Sequence, residues 1–313
     1  MIYTSHQGAV DRDNQGNIVM FVGKGGVGKT TCAATTALYS AAAGERTLAI
    51  STDATPSLSH IFEVSSKQKP VRVQGSLYLS ELGAEEVNEM WDKKFGRDVY
   101  GVFSSFVDVS YEEFVEFMTS VLPGLSDEFM IDYIRELSLK GEYRTIVWDT
   151  APLGQTLALL KTPALLGKHL RMAPRIYSKL RLGQSSREPI LDILKRWEGL
   201  SEANMDFLRN EVKFNLVTIP EALAVAQLEG IFDELNQYDL KVHRLIINNV
   251  IKEDGSDFLR TKANQQRHYI RLIYDRYPDI PVIELPMFSS EIKGLPRLRE
   301  VEKMLFSGAV NPT

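Results

Sequence analysis

Cysteine is nearly absent from this sequence of 313 residues, in which Cys32 is the single example. One thiol excludes a disulfide within the subunit and a metal site built from several thiolates of one subunit. No apolar run reaches the roughly 18 residues of a membrane-spanning helix, and the first residues contain no apolar core of a secretion signal. A net charge of −5 gives no overall attraction for nucleic acid. These absences predict a cytoplasmic protein that is not an integral membrane protein and binds no nucleic acid.

The composition is that of an ordinary globular protein. Apolar residues make up 44% of the chain and charged residues 25%, which are typical values. A chain of this length is near the size at which a single core stops growing. We expect the polar residues 1–16 to be a mobile lead-in and residues 17–313 to form one domain.

Short β-rich runs alternate with helical stretches along the chain. The runs are 17–22, 46–52, 76–82, 144–149, 213–219, 242–248 and 281–285. This alternation predicts an α/β fold with a doubly wound, mostly parallel sheet covered on both faces. Residues 84–140 and 153–210 exceed what such a sheet needs, and we expect them to be two helical insertions that form a subdomain.

Glycine is concentrated in one stretch, G-K-G-G-V-G-K-T at 23–30, which fits the pattern G-x-x-x-x-G-K-[ST] of a phosphate-binding loop. Its glycines let successive backbone N–H groups point at one anion, and the helix that follows adds its positive end. Lys29 is predicted to neutralise the β- and γ-phosphates of ATP, and Thr30 to bind Mg²⁺. A glycine turn without a ligand is the alternative. The predicted nucleotide contacts are Gly23, Gly25, Gly26, Val27, Gly28, Lys29, Thr30 and Thr31.

Two aspartates follow predicted strands, where doubly wound sheets bind their ligands. Asp149 ends the apolar run 145–148 and stands where a Walker B carboxylate holds Mg²⁺ through water. Asp53 follows the run 46–52 and is predicted to orient the water that attacks the γ-phosphate. The alternative for each aspartate is to cap the next helix, a common role of this residue.

The two insertions differ in composition. The first contains many large apolar residues, and the candidates for a groove that binds a hydrophobic client are Phe103, Phe106, Phe114, Phe117 and Met118. The alternative is that these side chains form ordinary core. Residues 81–136 hold fourteen acidic and four basic residues, whereas 150–187 contain no acidic residue. The insertions either neutralise each other by packing together or present a charged docking surface.

A second lysine, Lys24, follows the first glycine of the loop. The resulting form, G-K-G-G-V-G-K-T-T, resembles the deviant loop of SIMIBI-class ATPases, and within that class the group of the arsenite-efflux-pump ATPase and the Get/TRC targeting factor for tail-anchored proteins. The block D-T-A-P-L-G-Q-T at 149–156 is similar to that group's switch II signature, with Gln155 where histidine is usual. The block S-T-D-A-T-P-S-L-S at 51–59 is similar to its switch I, with proline and histidine rearranged. Shorter similarities occur at 219–221, 247–249 and 285–294.

The resemblance implies a homodimer with two ATP sites, in which Lys24 of one subunit reaches the phosphates of the other and acts in catalysis together with Lys29 and Asp53. It also implies that Asn248 and Pro286 face adenine. The targeting factors usually carry a C-x-x-C zinc site, but the corresponding region, roughly 256–261, has no cysteine. We therefore expect no zinc.

Three functions follow as hypotheses. The first is an ATP-hydrolysing homodimer, switched by nucleotide, that binds a hydrophobic client such as a tail-anchored membrane segment or another membrane-associated partner. The second is a regulatory or positioning ATPase that binds a folded partner through charge. The third is the driving subunit of an anion or metalloid pump, which the lack of thiols disfavours.

Overall fold

The computed structural model describes residues 17–53, 57–65, 70–104, 110–115, 123–177, 184–252 and 255–306. Its strands are β1 (Asn17–Gly23), β2 (Thr47–Ser51), β3 (Val71–Gln74), β4 (Leu77–Glu81), β5 (Thr145–Asp149), β6 (Val212–Thr218), β7 (Val242–Val250) and β8 (Val282–Pro286). They form one sheet in the order β3-β4-β2-β5-β1-β6-β7-β8. Only the pairing of β3 with β4 is antiparallel among these neighbours.

Helices cover both faces of the sheet. In the described ranges the α-helices are α1 (Lys29–Ala42), α2 (Leu58–Phe62), α3 (Ala84–Trp91), α4 (Arg97–Phe103), α5 (Pro123–Lys140), α6 (Leu153–Tyr177), α7 (Gln184–Asn210), α8 (Ala222–Gln237), α9 (Asp257–Arg276) and α10 (Gly294–Leu305). A π-helical segment, Asp92–Gly96, joins α3 to α4, and residues 111–115 are also helical. None of the helices described here is long and apolar enough to cross a membrane.

The core has two layers because successive side chains of a strand point to opposite faces. In β1, Ile18, Met20 and Val22 face a cluster that includes side chains of α5 to α9. Val19 and Phe21 face the cluster built on α1, α2 and α10. We call α3 to α7, with the π-helical segment, the helical layer.

The predicted α/β fold with a mostly parallel sheet is confirmed, and helices occupy the described parts of 84–140 and 153–210. The strand β3 was not predicted from the sequence. This edge strand alternates half-buried and exposed residues, so it lacks the apolar run that revealed the other strands. Residues 1–16, predicted to be a lead-in, lie outside the described residues.

Candidate functional site

One edge of the sheet is formed by the carboxyl ends of five neighbouring strands, β2, β5, β1, β6 and β7. Ser51 on β2 pairs with Asp149 on β5, and Asp149 pairs with Phe21 on β1. Parallel strands bring their carboxyl ends to the same edge, and the residues that follow them therefore meet there. The phosphate-binding loop, 23–30, follows β1 and lies beside the ends of β6 and β7.

Two of the loop glycines are required by close neighbours. A Cβ atom at Gly23 would lie closer than 3.0 Å to the carbonyl oxygen of Val217 on β6. At Gly28, where φ is 99°, a Cβ would collide with the side-chain amide of Asn248. This amide donates a hydrogen bond of 2.9 Å to the carbonyl oxygen of Val27. The loop is thus held against β6 and β7, with buried Val27 as its anchor.

Lys29 begins α1 and is 7% exposed. Its Nζ donates to the carbonyl oxygen of Lys24 at 2.9 Å, so the ammonium is curled under the loop. Burial lowers the pKa of Lys29, and the negative charges of Asp149 and Asp53 oppose the shift. An anion bound in the loop would add a further charge that stabilises the ammonium.

Asp149 is the centre of a short chain of oxygen atoms. Its side chain is 1% exposed, and no hydrogen-bond partner in the described residues reaches Oδ1. The hydroxyl of Ser57 donates to Oδ2 at 3.4 Å, and Thr30 Oγ1 donates to Ser57 Oγ at 3.5 Å. Burial raises the pKa of Asp149 to about 6, although hydrogen bonds from Thr30 and Ser57 and the charge of Lys29 act in the opposite direction.

These oxygens suit a divalent cation. Magnesium prefers hard oxygen ligands and usually keeps several waters, so one hydroxyl and one carboxylate are enough protein ligands for it. The unpaired Oδ1 of Asp149 also needs a positive or hydrogen-donating partner, because an unsatisfied buried acceptor is unfavourable. The residues present at this edge therefore fit Mg²⁺.

The other predicted nucleotide contacts lie around the same edge. Asp53 is half-buried, and its backbone N–H donates to Ser51 Oγ at 3.2 Å. Thr31 lies in the first turn of α1, and Gly25 and Gly26 are exposed. Pro286 ends β8 and pairs with Val250, two residues beyond Asn248 on β7. The structure thus places all the predicted nucleotide residues at or near the edge formed by the carboxyl ends of the strands.

The structure describes one of the five side chains predicted to line the client groove. Phe114 is 0% exposed, and its ring packs against Tyr100 and Tyr111 with centroids 5.4 and 6.2 Å away. Phe114 is thus a core residue of the subunit, which corrects its assignment to an exposed groove. Phe103 ends α4, but its side chain lies outside the described residues, as do Phe106, Phe117 and Met118.

Ser57 was not predicted as a site residue from the sequence. Its only signal was its position within the block 51–59 that resembles switch I. Two further contacts were also missed: Trp148 Nε1 donates to Thr52 Oγ1 at 3.0 Å, and Thr150 Oγ1 donates to the carbonyl oxygen of Phe21 at 2.7 Å. These bonds tie the end of β5 to β2 and β1.

Cys32 packs in the core below the loop. It is 0% exposed, and burial, with a contribution from Asp149, raises its pKa to about 12. A thiol in this state is neither a nucleophile nor a metal ligand, since both roles require the thiolate.

The chain is similar to known ATPases along most of its length. Residues 16–307 match the family described as anion-transporting ATPase. The chain is 31% identical to ATPase GET3A of Arabidopsis thaliana over 294 residues, which cover 88% of this chain and 80% of that protein. It is 28% identical to an ATPase ASNA1 homolog of Dictyostelium discoideum, with 90% and 87% covered. A provisionally named arsenical pump-driving ATPase 2 of Aquifex aeolicus is 29% identical, with 92% and 98% covered.

Proposed function

We propose that this chain, which belongs to the anion-transporting ATPase family and hydrolyses ATP, works as a homodimer whose two ATP sites are completed across the interface. The observation that carries the proposal is the different placement of the two loop lysines. Lys29 is buried and turned under its own loop. Lys24 precedes exposed Gly25 and Gly26, and no carboxylate in the described residues pairs with its ammonium. Lys24 is therefore available to phosphates bound by a second subunit.

Each residue of the site then has a separate task. The loop amides and Lys29 bind the β- and γ-phosphates, and Thr30 and Asp149 would hold Mg²⁺, which would supply further positive charge. Asp53 orients the attacking water from the end of β2. Lys24 of the neighbouring subunit adds positive charge where negative charge develops in the transition state, so hydrolysis depends on closure of the dimer.

Complementation in mixed dimers tests this arrangement. Lys24→Ala and Asp53→Asn subunits are each expected to bind ATP but hydrolyse it slowly. In a mixed dimer, the site built on the Lys24→Ala chain keeps its own Asp53 and receives an intact Lys24, so up to one working site per mixed dimer is recovered. Mixing Lys29→Ala with Asp53→Asn is the control, because both lesions act within their own subunit and no site is restored.

Mass measurement of the mixed dimers shows whether they form. Absence of rescue in verified mixed dimers would contradict a lysine acting across the interface. Rescue in the Lys29→Ala control would show that Lys24 is not the only loop lysine that acts across the interface. It would therefore contradict the assignment of Lys29 to the site of its own subunit.

We further propose that the helical layer binds a hydrophobic client such as a tail-anchored membrane segment. The support is the family, and the abundance of Phe, Val and Met in 95–122, side chains that adapt to varied apolar partners. Phe114 is buried, so this proposal rests on its neighbours and on rearrangement of the layer when the dimer closes. Leu139 on α5 and Leu165 on α6 are exposed by 52% and 47% and are further candidates.

A defined reporter tests the client proposal. Purified protein is mixed with a soluble reporter that ends in an apolar segment, and with a matched reporter whose segment is interrupted by two aspartates. Crosslinking to the apolar reporter only, dependent on ATP and lost in Lys24→Ala, is the expected result. Equal crosslinking to both reporters would contradict client selection while leaving the dimer proposal intact.

The charge-based alternative has less support, because acidic and basic residues pair within the subunit. Arg196 on α7 contacts Asp98 on α4 at 2.9 Å, which pairs a basic residue of the second insertion with an acidic residue of the first. Lys161 on α6 pairs with Glu234 on α8, outside the two insertions. Part of the charge of each insertion is thus paired within the subunit. A pump-driving role that uses thiolates is disfavoured because the single thiol is buried.

Zinc is not expected in the dimer. The region that would hold a C-x-x-C site begins α9, where Ser256 Oγ accepts a hydrogen bond from the backbone of Leu259 at 3.2 Å. A serine capping a helix does not provide the soft ligands of a structural zinc site. Stoichiometric zinc in the purified protein, lost together with the dimer on chelation, would contradict this proposal.

A further inference from the structure

A pocket lies at the opposite edge of the sheet from the phosphate-binding loop. It has a volume of about 230 Å³ and lies where β1, β6 and β7 begin, between the later part of α1 and the end of α10. The polar side chains that line it are Asn17, Thr36, Ser40, Glu45, Lys213, Asn215, His243 and Arg244. The sheet face around it is otherwise apolar, with Val19, Phe21 and Ile246. We call it the amino-edge pocket.

Asn215 is the first sign that the pocket is built for a ligand. It is 6% exposed, and its Oδ1 has no hydrogen-bond partner in the described residues. In the sheet register it lies between Phe21 on β1 and Arg244 on β7. A buried acceptor left unpaired is unfavourable, so a molecule in the pocket that donates a hydrogen bond would relieve it.

The charges of the pocket are the second sign. Lys213 and Arg244 have no carboxylate within ion-pair distance in the described part of the chain, and Arg244 is half-buried. Burial lowers the pKa of His243, and the neighbouring charges of Arg244 and Lys213 lower it further. Two unpaired cations close enough to act on the same histidine make an electropositive site.

The single acidic group of the lining, Glu45, offsets only one of these two positive charges. Glu45 is half-buried, and its carboxylate accepts a hydrogen bond from Thr145 Oγ1 on β5. On the remaining side, the rings of Tyr39 and Phe306 stack with centroids 3.9 Å apart and give the pocket an apolar wall. The pocket therefore combines positive charge, an unpaired acceptor and a flat apolar surface.

We propose that the amino-edge pocket binds a small organic anion that also carries a hydroxyl group, such as a hydroxycarboxylate or a phosphorylated polyol. The anionic group is held by Lys213 and Arg244, and the hydroxyl donates to Asn215 Oδ1. The carbon skeleton lies against Tyr39 and Phe306. The volume is below the range of drug-sized sites, about 300–1,000 Å³, and fits a molecule of this class.

Binding is measured with the full-length protein while saturating Mg·ADP occupies the phosphate-binding loop. The probes are malate and glycerol 3-phosphate, with uncharged glycerol as the control, and the readouts are calorimetry and saturation-transfer NMR. At least one of the two anions is expected to bind, and glycerol is not. Binding of malate alone or of glycerol 3-phosphate alone supports the proposal and identifies the anionic group.

Variants assign any binding to this pocket. Arg244→Gln and the exposed Lys213→Gln are each expected to weaken binding about tenfold, because each removes one charge-assisted contact. Lys241→Gln is the matched control, since it is an exposed lysine that does not line the pocket. Asn215→Leu should also weaken binding, because it removes the acceptor for the hydroxyl, yet leave the thermal midpoint of the free protein unchanged or higher, because leucine leaves no acceptor unpaired.

Two results would overturn the proposal. One is that neither anion binds the full-length protein at millimolar concentration. The other is that an anion binds Arg244→Gln and Lys213→Gln as tightly as the original protein, which would place it elsewhere. Neither result bears on the mixed-dimer test, because the amino-edge pocket shares no residue with the ATP site.

Discussion

The hydroxyl of Ser57 donates to Oδ2 of Asp149 at 3.4 Å and accepts from Thr30 Oγ1 at 3.5 Å. Ser57 and Asp149 are separated by 92 positions along the chain, so their contact joins the segment after β2 to the end of β5. Ser57 thus orients the carboxylate that we assign to the Mg²⁺ site, and can itself respond when the metal binds.

Ser57→Ala is expected to raise the Mg²⁺ concentration needed for half-maximal ATP hydrolysis about tenfold, since residues that orient a metal ligand typically contribute 10- to 100-fold in affinity. The measurement is ATPase rate against free Mg²⁺. Ser59→Ala is the matched control, because Ser59 contacts Glu81 through its backbone N–H at 3.1 Å, which alanine retains. Equal Mg²⁺ dependence of the two variants would remove Ser57 from the site.

Asp149 should make the free protein less stable as pH rises. Its folded-state pKa is raised from 3.8 to about 6, so the folded state binds more protons than the unfolded state between these values. The free energy of unfolding therefore falls through this window, and the full loss, on the order of 3 kcal/mol, is present above pH 6.

Asp149→Asn removes this effect. Without nucleotide or metal, the variant is expected to exceed the original protein in stability at pH 7.5 and to approach it near pH 4, as measured by urea unfolding at both values. Asp275→Asn, at an exposed position, should show no such dependence. A difference between Asp149→Asn and the original protein that is the same at both pH values would contradict the assigned pKa.

Alanine substitutions at two loop glycines should have unequal costs. Gly26 has φ 76° with nothing near a new Cβ, whereas Gly28 has φ 99° and a Cβ there would collide with Asn248. Gly26→Ala is expected to lower the free energy of unfolding only by the strain of a left-handed alanine, about 1–2 kcal/mol. Gly28→Ala should lower the free energy of unfolding by more and should also weaken ATP binding. The double variant Gly28→Ala/Asn248→Ala should recover part of both losses, because it removes the colliding amide. Urea unfolding and nucleotide titration measure both effects, and equal costs would contradict the described contact.

Cys32 should be unreactive in the folded protein. It is 0% exposed with a pKa of about 12, so at pH 8 a thiol reagent can modify it only after the surrounding structure opens. One equivalent should react in denaturant and far less than one without it, and Mg·ADP should slow the native reaction further. Rapid labelling of the native protein would contradict the burial of α1 against β1.

The sequence predicted the fold well because its signals are local. The apolar runs 144–149 and 242–248 and the glycine pattern of the loop can be recognised in the sequence without knowledge of tertiary contacts. The need for glycine at positions 23 and 28 is not a local signal, because it depends on contacts with Val217 and Asn248 from strands distant in the sequence. Phe114 shows the same limit: its apolar character was clear, but its burial between Tyr100 and Tyr111 depends on tertiary packing.

The π-helical segment Asp92–Gly96 sets the rotational phase of the helix that follows it. Each residue advances an α-helix by about 100°, and a π-helical turn contains one residue more than an α-helical turn. Removing one residue here would let α3 continue as regular α-helix into α4 and would turn α4 by roughly a quarter of a revolution. Lys94 would then leave Asp132 and Glu136, and Asp98 would leave Arg196. The face that α4 presents is therefore determined by the number of residues before it as much as by their chemistry.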